Sequence, residues 1–164
     1  MKILVSDTSV LIDLDRGGLT EEAFRLPYEF AVPDLLYVAE IEKYDGAELI
    51  DLGLRIEELD GPGVNLALEY RRKRRTLSLP DAFALALASR HSWVLLAGDK
   101  ELRKLAEAEN IECHGVLWLM DRIFENGVVS GAQLRSSLAR IAAHPRCRLP
   151  QAEVRRRLVR YSGA

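Results

Sequence analysis

The sequence predicts an α/β fold, a three-layer α/β/α sandwich with a mostly parallel central sheet and a helical C-terminal tail. Three observations carry that expectation. Short apolar runs alternate with helical patterns from Lys2 to Gly115, the order that βαβ units produce. The strand-like runs are β-branched and leucine-rich, as strands of a sheet covered on both faces are. The chain has 164 residues, 48% hydrophobic and 29% charged, enough for one domain with a full core and far from a disordered composition.

The elements follow in order. KILVS (2–6) is a buried strand, and TSVLIDLDR (8–16) a helix that stops at Gly17-Gly18. TEEAFRL is a short helix opened by Thr20 and early acids, and YEFAVP (28–33) a strand ended by Pro33. DLLYVAEIEKYD reads as one helix with Leu35, Leu36 and Ala39 on one side. AELIDLG and LRIEELD follow as helix and strand, and Gly61-Pro62-Gly63 is a break. VNLALEYRRKRRT is a helix with a basic end, and LSLPDAFALALASRH is the best-defined helix of all. WVLLAG, DKELRKLAEAEN and IECHG give strand, helix and strand. From Val116 the chain is helical throughout: VLWLMDRIFENG, GAQLRSSLARIAA and QAEVRRRLVRY. Residues 1–118 are expected to form the α/β domain, and 119–164 a helical extension packed on or beside it.

No apolar run approaches the roughly 18 residues of a membrane span, and the first is cut at Asp7, too early for a signal-peptide core. The expectation is a soluble, cytoplasmic protein with no membrane partner. Cys113 and Cys147 are too few for a disulfide framework and lack zinc-knuckle spacing. The net charge of −2 conceals a polarity: residues 1–69 carry −11, residues 70–129 carry +2 and residues 130–164 carry +7. Such a chain has one face suited to cations and another suited to phosphates or to acidic partners.

Four carboxylates stand out. Asp7 ends the first strand and Asp99 follows the fourth; both positions also suit a helix cap. Asp81, in Ser78-Leu79-Pro80-Asp81, fits a capping box. Glu40 lies inside a helix and has no capping role. Singly, each is explained more readily by structure than by catalysis. Together, two finish strands that a parallel sheet brings side by side, and two lie on helices beginning near the same edge, where such folds bind ligands. Burying carboxylates together is costly, because like charges raise one another's pKa and lose hydration. A hard divalent cation such as Mg²⁺ or Mn²⁺, which prefers oxygen donors, resolves the conflict. His91, His114 and His144 are too scattered to suggest zinc.

The order and setting of Asp7 in ILVSDTSVLIDL, Glu40 in VPDLLYVAEI, Asp81 in LSLPDAFALALA and Asp99 in LLAGDKELRK resemble the PIN domain (PilT N-terminus), a metal-dependent ribonuclease family. The segment HGVLWLMDRIFENGVVSGAQLRSSLARI also resembles the VapC-type toxins of toxin–antitoxin pairs. The resemblance implies that Asp7, Glu40, Asp81 and Asp99 converge around one or two Mg²⁺ or Mn²⁺ ions. Asp7 and Asp99 would be direct ligands, with Glu40 and Asp81 binding directly or through water. Thr8 or Ser9 would hydrogen-bond the Asp7 carboxylate or a water beside it. Many members carry a hydroxyl two positions before the fourth acid, where this chain has Ala97.

An RNA substrate must be held beside those acids. Tyr70 is followed by Arg71, Arg72, Lys73, Arg74 and Arg75, the first candidates for phosphate contacts, with Arg103 and Lys104 next. Arg155, Arg156, Arg157 and Arg160 could serve RNA, an acidic antitoxin or neither. The family also implies a homodimer, for which Leu35, Leu36, Ile41 and Tyr44 are candidate contacts, although core packing explains them equally well. The competing reading is a PIN-fold RNA- or protein-binding module with weak or no nuclease activity. A phosphatase-like domain would want a second Asp where Ser9 stands, and a receiver domain adjacent acids near the first strand; neither pattern is met.

Overall fold

The structure, a computed structural model, describes residues 2–163. Strand β1 (Lys2–Ser6) leads into helices α1 (Thr8–Arg16) and α2 (Thr20–Phe24), and β2 (Tyr28–Pro33) into α3 (Asp34–Leu36), a π-helical turn (Tyr37–Ile41) and α4 (Gly46–Leu52). Then come β3 (Arg55–Glu57), α5 (Gly61–Lys73), α6 (Leu79–His91), β4 (Val94–Leu96), α7 (Lys100–Ala108) and β5 (Cys113–His114). Helices α8 (Val116–Glu125), α9 (Gly131–Ala143) and α10 (Gln151–Ser162) complete the described chain.

The five strands form one parallel sheet in the order β3-β2-β1-β4-β5. Leu4 sits between Phe30 on one side and Val94 on the other, and Val5 between Ala31 and Leu95. All six are buried, as a parallel sheet covered on both faces requires of its central strands. Helices α5, α6 and α7 gather on one face, and α1, α2 and α8 on the other. In α6, Ala82 and every residue from Ala84 to Ala88 are buried; a helix apolar all round belongs in the interior. The chain runs outward from β1 through β2 to β3, then returns to the other side of β1 as β4. Strand order therefore reverses between β1 and β4, and the crevice at their C-terminal ends is where a sheet of this kind binds ligands.

The tail helices close onto this core. Ile141 of α9 packs so tightly on Gly17 that a Cβ there would come within 2.8 Å of its Cδ1, and Arg140 donates to the Gly17 carbonyl at 2.7 Å. Helix α10 is fastened to α8 around the buried Asp121. That carboxylate accepts from the Tyr161 hydroxyl at 2.8 Å and from both Nε and Nη2 of Arg157, while Arg160 Nη1 stands 3.1 Å away.

Two local expectations are corrected. Gly61-Pro62-Gly63 is the first turn of α5, not a break: Asp60 caps it by accepting from Gly63 N at 2.7 Å. Proline is at home there because its missing N–H would have had no helical partner. The helix expected over 34–45 is α-helical only to Leu36 and then winds as a π-turn, with Glu42 N donating to Tyr37 O at 2.8 Å. An α-helix sets residues five apart about 140° apart; the wider turn lets Leu36 and Ile41 both enter the core. Those two candidate dimer contacts are thus core residues, whereas Tyr44 and Val38 are exposed at 82% and 61%.

Candidate functional site

Asp7 stands where the strand order reverses. Its backbone N–H extends the ladder by donating to Leu96 O at 2.9 Å, so the residue is fixed between β1 and β4. Its side chain is only 2% exposed. Oδ1 accepts from Val10 N, the cap of α1, and Oδ2 accepts from Gly98 N, each at 2.9 Å. The Ser9 hydroxyl lies 2.9 Å from both oxygens. Asp7 is therefore a helix cap and something more, because a cap does not need a donor from a loop 91 residues away. Gly98 leaves room for that arrangement: a Cβ there would fall on the Ser9 hydroxyl and force it off Asp7.

Glu40 reaches the same place from the π-turn. Thr8 Oγ1 donates to Glu40 Oε1 at 2.8 Å, which ties β2's exit to β1's. The two hydroxyls after Asp7 thus serve different acids, Thr8 holding Glu40 and Ser9 holding Asp7. Single π-turns are frequent at functional positions, and here the turn carries an acid that caps nothing.

Asp81 enters at the first turn of α6. Ser78 is the cap, accepting from Asp81 N at 3.2 Å, so the Asp81 carboxylate has no capping duty to the backbone. Asp99 caps α7, with Oδ2 accepting from Leu102 N at 3.0 Å. All four acids predicted from the sequence are brought to the C-terminal edge of the sheet.

Their electrostatics register the crowding. Burial and then the charges of Asp7 and Glu40 push the Asp81 carboxyl up to about 7, with Asp99 adding to the rise and the Ser78 hydroxyl opposing it. The Asp7 carboxyl is raised by burial even though the N–H groups of Val10, Gly98 and Asp99 and the Ser9 hydroxyl all favour its charged form. A fifth acid, Asp13 of α1, belongs to the same field: burial and the Asp7 charge raise it, and Arg16, 3.7 Å away, lowers it. The sequence held a signal for it, since Ser9, Asp13 and Arg16 follow i, i+4, i+7 spacing. Cys113 nearby is no nucleophile at neutral pH, because burial pushes its thiol up to about 11.

Among the described residues, no three carboxylate, imidazole or thiol groups already stand at ligating distance around one point. The donor set is nonetheless all oxygen and mutually repulsive, which is the chemistry a hard divalent cation fits. Among the basic candidates, Arg103 lies beside Asp99 on a shared cavity wall, and Lys104 flanks a smaller hollow with Lys100. Arg71 Nε is spent on the Leu77 carbonyl. Lys73 Nζ is 2.8 Å from Glu109, ten residues along from Asp99 and hence about 15 Å away by helical rise. Arg72, Arg74 and Arg75 are exposed. Of the tail cations, Arg156, Arg157 and Arg160 are paired with Glu153, Asp121 or Glu125.

Among the described residues no helix is long and apolar enough to cross a membrane. The family model described as DUF3368, PIN domain, matches residues 3–162. Among solved structures, a PilT N-terminus domain protein from the hyperthermophilic archaeon Sulfolobus solfataricus P2 superposes with a TM-score of 0.54. The match covers 76% of this chain and 95% of that one at 16% identity, a likeness of fold. No curated protein matches the sequence.

Proposed function

This chain belongs to the PIN-domain family, whose members are typically nucleases and generally use divalent metals, and we propose that it is an endoribonuclease hydrolysing RNA phosphodiester bonds with Mg²⁺ or Mn²⁺. One observation carries the reading: Asp81 is buried at the sheet edge within the charge fields of Asp7, Glu40 and Asp99, and burial first, then those charges, lift its carboxyl to about 7. A fold has no structural use for that repulsion, and active sites are where such perturbation concentrates.

Asp7, Glu40, Asp81 and Asp99 would hold the cation. When bound, it supplies Lewis-acid stabilisation of the developing phosphoryl charge and a lowered pKa for the attacking water. The chain's own residues prepare the place. Ser9, Val10 and Gly98 lock the Asp7 carboxylate, and Thr8 orients Glu40. Asp81, free of backbone capping, is the acid best suited to take a proton near neutral pH. The four carboxylates repel the scissile phosphodiester itself, so only its final approach, not binding of the chain elsewhere, depends on their charge being neutralised.

The role of toxin in a toxin–antitoxin pair is supported by the resemblance of the 114–141 segment, and a homodimer by family expectation together with the exposed Val38 and Tyr44. The alternative, a binding module of weak activity, draws support from Ala97. Against it, the Ser9 hydroxyl already reaches both Asp7 oxygens. The test is cleavage of labelled single-stranded RNA with and without Mn²⁺, beside Asp81→Asn. Metal-dependent cleavage reduced about 100-fold or more in the variant is expected. Equal cleavage by the variant, or indifference to chelator, overturns the reading.

A further inference from the structure

Four acids define where a phosphodiester would be cut but not how a polyanion is kept beside them. A cavity of about 1000 Å³ begins at Ser9, Gly98 and Asp99 and runs between α1, the start of α8 and the segment joining α9 to α10. Three arginines line it without an ion pair or a side-chain hydrogen bond among the described residues: Arg103 from α7, and Arg146 and Arg148 from the joining segment. Two acids on its wall are already answered, Asp13 by Arg16 and Glu153 by Arg157. The rings of His114 and Trp118, stacked with centroids 4.3 Å apart and planes at 7°, border the same space.

We propose that this cleft, walled on one side by the α9–α10 connection, is the channel that holds single-stranded RNA, with Arg103, Arg146 and Arg148 contacting its phosphates. The inference rests on the nuclease reading for the polymer's identity. Guanidinium groups that line one hollow without pairing to any of its carboxylates suit phosphate oxygens, which they bind bidentately. Trp118 is already covered by His114, Tyr28 and Arg122, but His114, 29% exposed at the end of that stack, is a ring that an unpaired base can reach and a paired one cannot. An acidic peptide would gain the same cations but nothing from the rings. The channel also reverses the order of importance that the sequence suggests for the basic residues. The run 71–75 is dense in charge, yet two of its members are engaged elsewhere, whereas Arg146 and Arg148, unremarked in the sequence, face the cavity that reaches Asp99.

The test is fluorescence anisotropy of a labelled single-stranded oligoribonucleotide with the full chain in chelator, where no cleavage occurs, across a salt series. R146A/R148A is expected to weaken binding at least tenfold and to lower the slope of log K against log salt by about 1.4, the value for two lost single-strand phosphate contacts. R25A/R135A, which removes the same charge from exposed positions, is the comparison and should stay within twofold of wild type. Equal losses in the two variants, no loss in R146A/R148A, or displacement of the RNA by polyglutamate as readily as by unlabelled RNA overturns the channel. Cleavage measured in parallel separates the two proposals. RNA bound through the cleft but never cut with any divalent metal sustains the channel and removes the nuclease. Metal-dependent cleavage with wild-type binding in R146A/R148A removes the channel alone.

Discussion

Replacing Asp81 by asparagine should make the metal-free protein more stable while destroying its proposed activity. The Asp81 carboxyl lies at about 7 in the folded chain against an ordinary 3.8, chiefly through burial and the charges of Asp7 and Glu40. The folded state then binds more protons than the unfolded state between those values, so this group's contribution to stability falls as pH rises through the window. At about 1.36 kcal/mol per pH unit, the full interval costs about 4 kcal/mol by pH 8. Because the side chain is only partly buried and its neighbours share the titration, about 2 kcal/mol is the gain expected from the neutral amide. In a chain of this length that raises the melting temperature by about 4–8 °C. The assay is thermal unfolding followed by circular dichroism in chelator. The gain at pH 8 should be at least twice that at pH 5, where most of the carboxyl is already protonated. Added Mn²⁺ should stabilise wild type and leave the variant unmoved. A variant that melts at or below wild type at pH 8, or whose gain is the same at both pH values, would refute the electrostatic reasoning.

Thr8→Val removes the hydroxyl that holds Glu40 at nearly constant volume. Cleavage should drop about 10-fold or more with little change in melting temperature, as for other residues that orient a ligating group; unchanged kinetics would make Thr8 a bystander. Gly98→Ala sets a methyl on the Ser9 hydroxyl, and a urea titration should record about 1–3 kcal/mol of lost stability, whereas an unmoved midpoint means the loop yields freely. In Tyr161→Phe the buried donor to Asp121 disappears while Arg157 and Arg160 remain. The same titration should show a loss of about 1–2 kcal/mol, and no loss would mean the two arginines suffice.

Strands β1 and β2 and helix α1 were legible to the residue, because burial on both faces writes a continuous apolar run and Asp, Pro and Gly punctuate its ends. Asp7, Asp81 and Asp99 were marked as candidates for a related reason: each sits at the boundary of a locally defined element, and the alternation of elements places those boundaries on one edge, whereas Glu40 lies inside the stretch 34–45 and carried no such mark. Where a local signal had two uses, the sequence favoured the wrong one. Gly61-Pro62-Gly63 reads as a break, but Asp60 turns it into a helix start. The stretch from Tyr37 to Ile41 reads as an α-helix, and only the demands of the core on Leu36 and Ile41 widen it into the π-turn that carries Glu40.

Charge divided most sharply between the two levels. Composition showed an acidic front and a basic tail, but which cations are free depends on partners far away in the chain. Lys73 is matched by Glu109, Arg157 by Asp121 and Arg16 by Asp13, and the first two of those pairs span 36 residues each. By itself the sequence determined the fold class and the ends of β1 and β2, and it marked the candidate acids, since periodicity and caps act within a few residues. Tertiary structure alone decided that Gly98 donates to Asp7 from 91 residues away, and that Arg103, Arg146 and Arg148 line one cleft. Coulomb and hydrogen-bond energies depend on separation in space, and separation in space is what a linear pattern does not contain.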